Sequence, residues 1–215
     1  MISTKIFDPP AWNRREILRY ARIRGEGEAF EPLLEECIGE AERALSYRVC
    51  YTILPADHPM LRDSKTICKA IRDAEEVLLF AATVGAPFDR LIQRYSLLMP
   101  SKALMLQAIG AERVESLCDA FCDQMNTELA ERELSLTPRV SPGYGDIPLT
   151  MQREIFALLD CPRKIGLTLD DSLLMSPSKS VTALAGIVSK QYNTKLNKCS
   201  MCAKTDCAYR AEEEI

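Results

Sequence analysis

Two continuous apolar runs constrain this chain more than anything else in it: VLLFAATVG at 77–85 and VTALAGIVS at 181–189. Each is too short to span a membrane and has the length of a strand buried on both faces. Elsewhere the pattern is mostly helical. Residues 12–24, WNRREILRYARIR, and 29–47, AFEPLLEECIGEAERALSY, place apolar side chains at helical spacing on charged sequence, so two amphipathic helices are expected to open the fold. Residues 60–75 have the same character, a helix is expected after Pro87, and a long one over 102–132. Helical periodicity returns in LTMQREIFALLDC, whereas 134–149, with three prolines and two glycines, fits neither period.

A chain of 215 residues can bury a full core as one large domain or two small ones. Its 47% hydrophobic and 27% charged residues are ordinary for a soluble protein, and no stretch is apolar for long enough to predict a membrane span. The net charge of -4 argues against nucleic acid as the main partner. The opening MISTKIFDPPAWNRRE lacks the basic and apolar segments of a secretory signal, which makes the cytoplasm the expected location. Nine cysteines, an odd number without such a signal, read as reduced thiols or metal ligands and not as a disulfide framework. The expected organisation is a main domain over 1–190 and a polar, cysteine-bearing tail over 191–215.

The irregular segment PRVSPGYGDIPL, 138–149, carries the richest chemistry. Arg139 offers a planar fork for a carboxylate. After Ser141 and Pro142, Gly143 and Gly145 permit backbone conformations closed to other residues and allow a ligand to come close, and Tyr144 between them brings a flat face and a hydroxyl. An amino-acid-like ligand suits that set; on composition alone, so does a tight surface loop with an incidental arginine.

In order and spacing, PRVSPGYGDIPL, then QREIFALLD, then KIGLTLDDSLLMSPSKSV resembles the activation domain of cobalamin-dependent methionine synthase. In that family an Arg-x-x-x-Gly-Tyr segment binds S-adenosylmethionine, and a Thr-Glu-Ser-containing stretch leading to Met-x-Pro follows. The counterparts here are Arg139, Gly143 and Tyr144, then Thr168, Ser172, Met175, Pro177 and Ser180. A weaker likeness runs upstream through ATVG and VESLCDAFCDQM, where Asp119 stands in the place of a family glutamate; Glu133 is the other acidic match. The resemblance implies an α+β fold, a twisted antiparallel sheet flanked by helices in one curved domain. It implies S-adenosylmethionine held by Arg139, Ser141, Pro142, Gly143, Tyr144 and Gly145 with Asp119 and Glu133. The chain lacks an Asp-x-His-x-x-Gly motif and His58 is its single histidine, so cobalamin is expected on a partner.

The tail reads KCSMCAKTDCAYR, a C-x2-C-x4-C pattern in which Cys199, Cys202 and Cys207 are close enough to share one metal centre. Zinc or an iron–sulfur cluster there needs a fourth donor, for which Cys161 and Cys37 are candidates, or an open position; a tail of free thiols is the alternative. Lys195, Lys198 and Lys204 favour thiolates in either case. Cys118 and Cys122 share a helical face and read as core, and His58 reads as a surface residue.

Together these readings predict a reactivation partner of a corrinoid-containing methionine synthase, an accessory component and not a complete enzyme. The resemblance implies the chemistry: cobalamin oxidised to the cob(II) state would be reduced by one electron from a donor such as flavodoxin or ferredoxin and captured by methyl transfer from S-adenosylmethionine. Two other classes fit the same residues: an iron–sulfur electron donor to corrinoid proteins, and a non-catalytic sensor of S-adenosylmethionine.

Overall fold

A computed structural model describes residues 1–23 and 27–189. The chain opens with strand β1 (Ser3–Phe7), helix α1 (Arg14–Tyr20), a 3-10 turn and helix α2 (Glu31–Ala41), followed by β2 (Tyr47–Pro55), the short α3 (Lys65–Ala70) and β3 (Glu76–Thr83). A helical pair, α4 (Ala86–Leu98) and α5 (Pro100–Ala130), leads to β4 (Leu134–Leu136). After the irregular segment come α6 (Met151–Leu159), α7 (Cys161–Ile165), a small hairpin of β5 (Thr168–Leu169) and β6 (Met175–Ser176), and β7 (Ser180–Ser189).

The two apolar runs are the middle of the molecule. They pair antiparallel with each other, Leu79 opposite Leu184 and Ala81 opposite Thr182, inside a five-stranded antiparallel sheet ordered β1-β2-β3-β7-β4. Their continuous hydrophobicity follows from burial on both faces. Leu78, Phe80, Ala82, Ala183, Ala185 and Ile187 turn toward a core built with α1, α2, α4 and α5. Val77, Leu79, Ala81 and Leu184 turn toward a second core with residues of α3, α6 and α7. At Gly186 a side chain would meet Ala74 Cβ at 3.1 Å and Ile71 Cα at 3.2 Å, so the missing Cβ lets the end of α3 lie directly on the sheet.

The spine of the first core is α5, whose 31 residues extend about 46 Å at 1.5 Å per residue. Its Phe121 ring packs 5.0 Å from Phe80 and 5.2 Å from Tyr51, centroid to centroid. Arg113, fully buried, donates to the carbonyls of Pro10 at 2.7 Å and Ala11 at 2.8 Å, pairs with Glu112, and lies 4.0 Å over the Trp12 ring. The segment before α1 is thereby clamped to the middle of α5. Near the start of α5, buried Lys102 reaches Glu36 at 2.6 Å and Glu40 at 2.7 Å and sits 4.3 Å from the Tyr95 ring centroid, joining α2, α4 and α5.

Several expected boundaries move. The helix expected over 29–47 stops at Ala41, and Tyr47 already belongs to β2; the helix expected over 12–24 is confined to Arg14–Tyr20. Within 60–75 only Lys65–Ala70 is α-helical, because the Ser64 hydroxyl accepts from the Ile67 amide at 3.2 Å and starts the helix there. Strands β1, β2 and β4 were not anticipated. Among the described residues no helix is long and apolar enough to cross a membrane. The tail over 191–215, with its three cysteines, lies outside the described residues.

Candidate functional site

After β4 the chain stays against β7. The Thr137 amide donates to the Gly186 carbonyl and the Gly186 amide donates back to the Thr137 hydroxyl, both at 2.8 Å. Val140 and Leu184 exchange backbone hydrogen bonds of 2.9 Å. This extended piece covers the edge of β7 that the three-residue β4 leaves open. Alternation along it sends Val140 to the second core, and Arg139 to the opposite face, against α5.

There the Arg139 side chain, only 8% exposed, donates through Nη2 to Glu115 at 2.5 Å and through Nη1 to Asp119. Glu115 and Asp119 stand four residues apart and so on one face of α5, and two like charges at that spacing repel unless a cation lies between them. Burial works against the charge on Arg139, but the carboxylates of Asp119 and Glu115 hold its pKa above the usual arginine value. The reverse holds for Cys118, whose full burial pushes its thiol well up and leaves it a packing residue; Cys122 packs on the edge of the same core, as expected of both. Tyr20 on α1 is pushed up to about 12, first by burial and then by the charge of Glu115.

Beyond Arg139 the chain turns tightly. The Tyr144 amide donates to the Ser141 carbonyl at 3.3 Å, Gly143 donates to Ile147 at 2.9 Å, and Ile147 donates back to Tyr144 at 3.1 Å. Gly143 and Gly145 adopt φ of 87° and 59°. At Gly145 a Cβ would also sit 2.5 Å from the Thr66 hydroxyl, so the turn can press against α3 only without a side chain. The Asp146 carboxylate then accepts from the Ser64 hydroxyl at 2.7 Å, the Lys65 amide at 2.8 Å and the Thr66 amide at 3.0 Å. Those hydrogen bonds hold its pKa far below the usual carboxylate range. Pro142 and Ile147 are buried, while Tyr144 stands out at 72% exposed. The segment is therefore tied at both ends, to α5 through Arg139 and to α3 through Asp146, and it displays an aromatic ring between them.

The structure brings Arg139, Asp119, Ser141, Pro142, Gly143, Tyr144 and Gly145 onto this one feature. It leaves Glu133 apart, exposed at φ 57° in the turn after α5, with roughly 17 Å of helix between Ala130 and Asp119. Thr168, Ser172 and Met175 belong to the hairpin packed on the second core, on the other face of the sheet from Arg139's carboxylates. Ser180 begins β7, its hydroxyl bonded to the Pro177 carbonyl and to Thr83 at 2.8 Å. Glu115 and Asp146 were not picked out as site residues. Glu115 had a signal, its four-residue spacing from Asp119 across buried Cys118; Asp146 had only the Gly-Tyr-Gly turn before it.

Neither expected fourth donor for a tail metal is at the surface. Cys37 is buried in the first core against the Lys102 carbonyl, and Cys161 is buried in the second with its sulfur 4.0 Å from that of Cys50. Among the described residues no group of three His, Cys, Asp or Glu is placed to hold a metal. His58 caps the 3-10 turn Pro59–Leu61, its Nδ1 accepting from the Met60 amide at 3.3 Å.

The family model for the activation domain of vitamin B12-dependent methionine synthase matches residues 68–211. This chain belongs to that family. The match takes in the Arg139 segment, the hairpin stretch and the three tail cysteines, while residues before Cys68 lie outside it and yet supply β1 and β2 of the same sheet. The fold is that of a solved relative, described as the MetH reactivation domain bound to AdoHcy. That structure superposes with a TM-score of 0.62 at 16% identity, over 86% of this chain and 78% of the other. No curated protein matches in sequence. The activation-domain fold expected from PRVSPGYGDIPL and the stretches after it, an antiparallel sheet flanked by helices, is the one found.

Proposed function

We propose that the chain binds S-adenosylmethionine at the Arg139 segment and serves as the reactivation partner of a corrinoid-containing methyltransferase, methionine synthase foremost. The observation that carries this reading is the doubly anchored 139–146 turn, in a chain that belongs to the activation-domain family. The donor set suits the ligand. Its amino-acid end carries a carboxylate and an ammonium beside a sulfonium, and the turn offers an arginine, two carboxylates that exceed it by one negative charge, an exposed tyrosine ring and two glycines that let backbone amides approach.

His58, the chain's single histidine, is spent on capping a turn, which supports placing the corrinoid on the partner. A docked, reduced corrinoid would supply the nucleophile that takes the sulfonium methyl and leaves S-adenosylhomocysteine. The work of this chain is then positioning, because such a transfer needs no protein base. The turn is built for it: Asp146 fixes it to α3, Val140 fixes it to β7, and the methyl donor is presented on a rigid edge.

Isothermal calorimetry with S-adenosylmethionine and S-adenosylhomocysteine tests the binding. Arg139→Ala is expected to weaken both by about ten- to a hundredfold, the cost of a hydrogen bond between charged groups. No heat with wild type, and no competition between the two ligands, would overturn the reading. A reactivation assay with purified corrinoid proteins then separates a partner from a sensor: binding without any gain in methylated corrinoid would leave only the sensor.

A further inference from the structure

The Arg139 fork is already occupied. Its side chain is nearly enclosed, and Glu115 and Asp119 between them take both terminal nitrogens. A third carboxylate cannot join this group without meeting two negative charges at short range, so a ligand carboxylate must replace one of those present. We propose that Glu115 sets the affinity of the site: in the free protein its carboxylate holds the place on Arg139 that the ligand's carboxylate takes on binding. This rests on the reading that Arg139 receives that ligand.

Glu115, and not Asp119, is the group that yields, because the two differ in reach. Both stem from a stretch of α5 that cannot shift, with Val114, Leu117, Cys118 and Phe121 buried around them. The longer glutamate side chain can swing clear through its additional rotatable bond, while the aspartate is held close to its own backbone. Asp119 then stays on Nη1, keeps the turn anchored, and leaves a carboxylate beside the ligand's positive charges. A binding-competent population of about one tenth would weaken apparent affinity about tenfold.

The test compares S-adenosylmethionine with decarboxylated S-adenosylmethionine, which differs from it only in lacking the carboxylate, on wild type, Glu115→Gln and Glu115→Ala by calorimetry. Glutamine keeps the length and an acceptor oxygen, so it removes only the competing charge. Both variants are expected to bind S-adenosylmethionine about tenfold tighter, with no tightening for the decarboxylated compound. The ratio of the two affinities is the readout, since a folding defect would weaken both ligands together. An unchanged or inverted ratio, in variants that still bind and with Arg139→Ala still weakening wild type, overturns the role of Glu115 alone. Absence of binding by wild type and variants alike overturns the underlying reading as well.

Discussion

Gly145 shows how much one missing carbon decides. At φ 59° with the Thr66 hydroxyl 2.5 Å from where a Cβ would lie, Gly145→Ala must shift either the turn or α3. The expected cost is about 1–3 kcal/mol, measured by denaturant unfolding, and ligand binding should weaken because the turn that carries Tyr144 is displaced. Asp146 gives a pH signature. Its folded-state pKa is depressed by the Ser64 and Thr66 hydrogen bonds, so the stability it contributes is complete above the ordinary aspartate value of 3.8 and is lost as pH falls below it. Asp146→Asn is expected to melt below wild type at neutral pH, with the gap closing on acidification under that value; a gap independent of pH would contradict the assignment. Arg139 and Tyr144 were legible as candidates because they sit in a motif. Glu115 and Asp146 were not singled out, because a carboxylate's partner across 24 or 82 residues leaves no local periodicity to read.

Among the elements, α5 joins the most parts, and two substitutions probe it at its N-terminal half. At Gly110 a Cβ would meet Phe88 at 2.6 Å and Lys179 at 2.8 Å, where α4 and the approach to β7 press on the helix. Gly110→Ala gains about 1 kcal/mol of helix propensity but overpacks this contact by about 1–3 kcal/mol. Net destabilisation is expected in thermal unfolding, and a variant more stable than wild type would show the contact to be soft. Lys102→Ala removes a buried stem and two charge-assisted hydrogen bonds; with Glu36 half exposed and able to return to water, the expected loss is about 2 kcal/mol, or 4–8 °C in Tm. The elements read best from sequence were those with one dominant environment: β3 and β7, buried on both faces, and the long amphipathic helices. β2 was lost because Leu45 and Tyr47 continue the helical spacing of Ala41 and Ala44, although the helix has ended at Ala41. β1, a five-residue edge strand with Ile6 84% exposed, carries too little apolar signal to stand out from a loop.

At the scale of the molecule, two helical layers enclose one sheet, and the 137–147 segment passes around its edge from one layer to the other. Cys199, Cys202 and Cys207 are expected to act as one centre, so each single serine substitution should lose as much iron or zinc, measured by elemental analysis of anaerobically purified protein, as the triple substitution. Metal-free wild type would reduce them to thiols. The pairing of β3 with β7 also has a consequence for how the chain is made. On the ribosome, β3 emerges long before its central partner, and until Ser180–Ser189 follow, the backbone amides and carbonyls along that edge of β3 have no strand to pair with. Nascent chains arrested before Ser180 should therefore be protease-sensitive and captured by chaperones, and those released after Ser189 should not, so that closure of this domain waits on a strand about a hundred residues downstream of the one it pairs with.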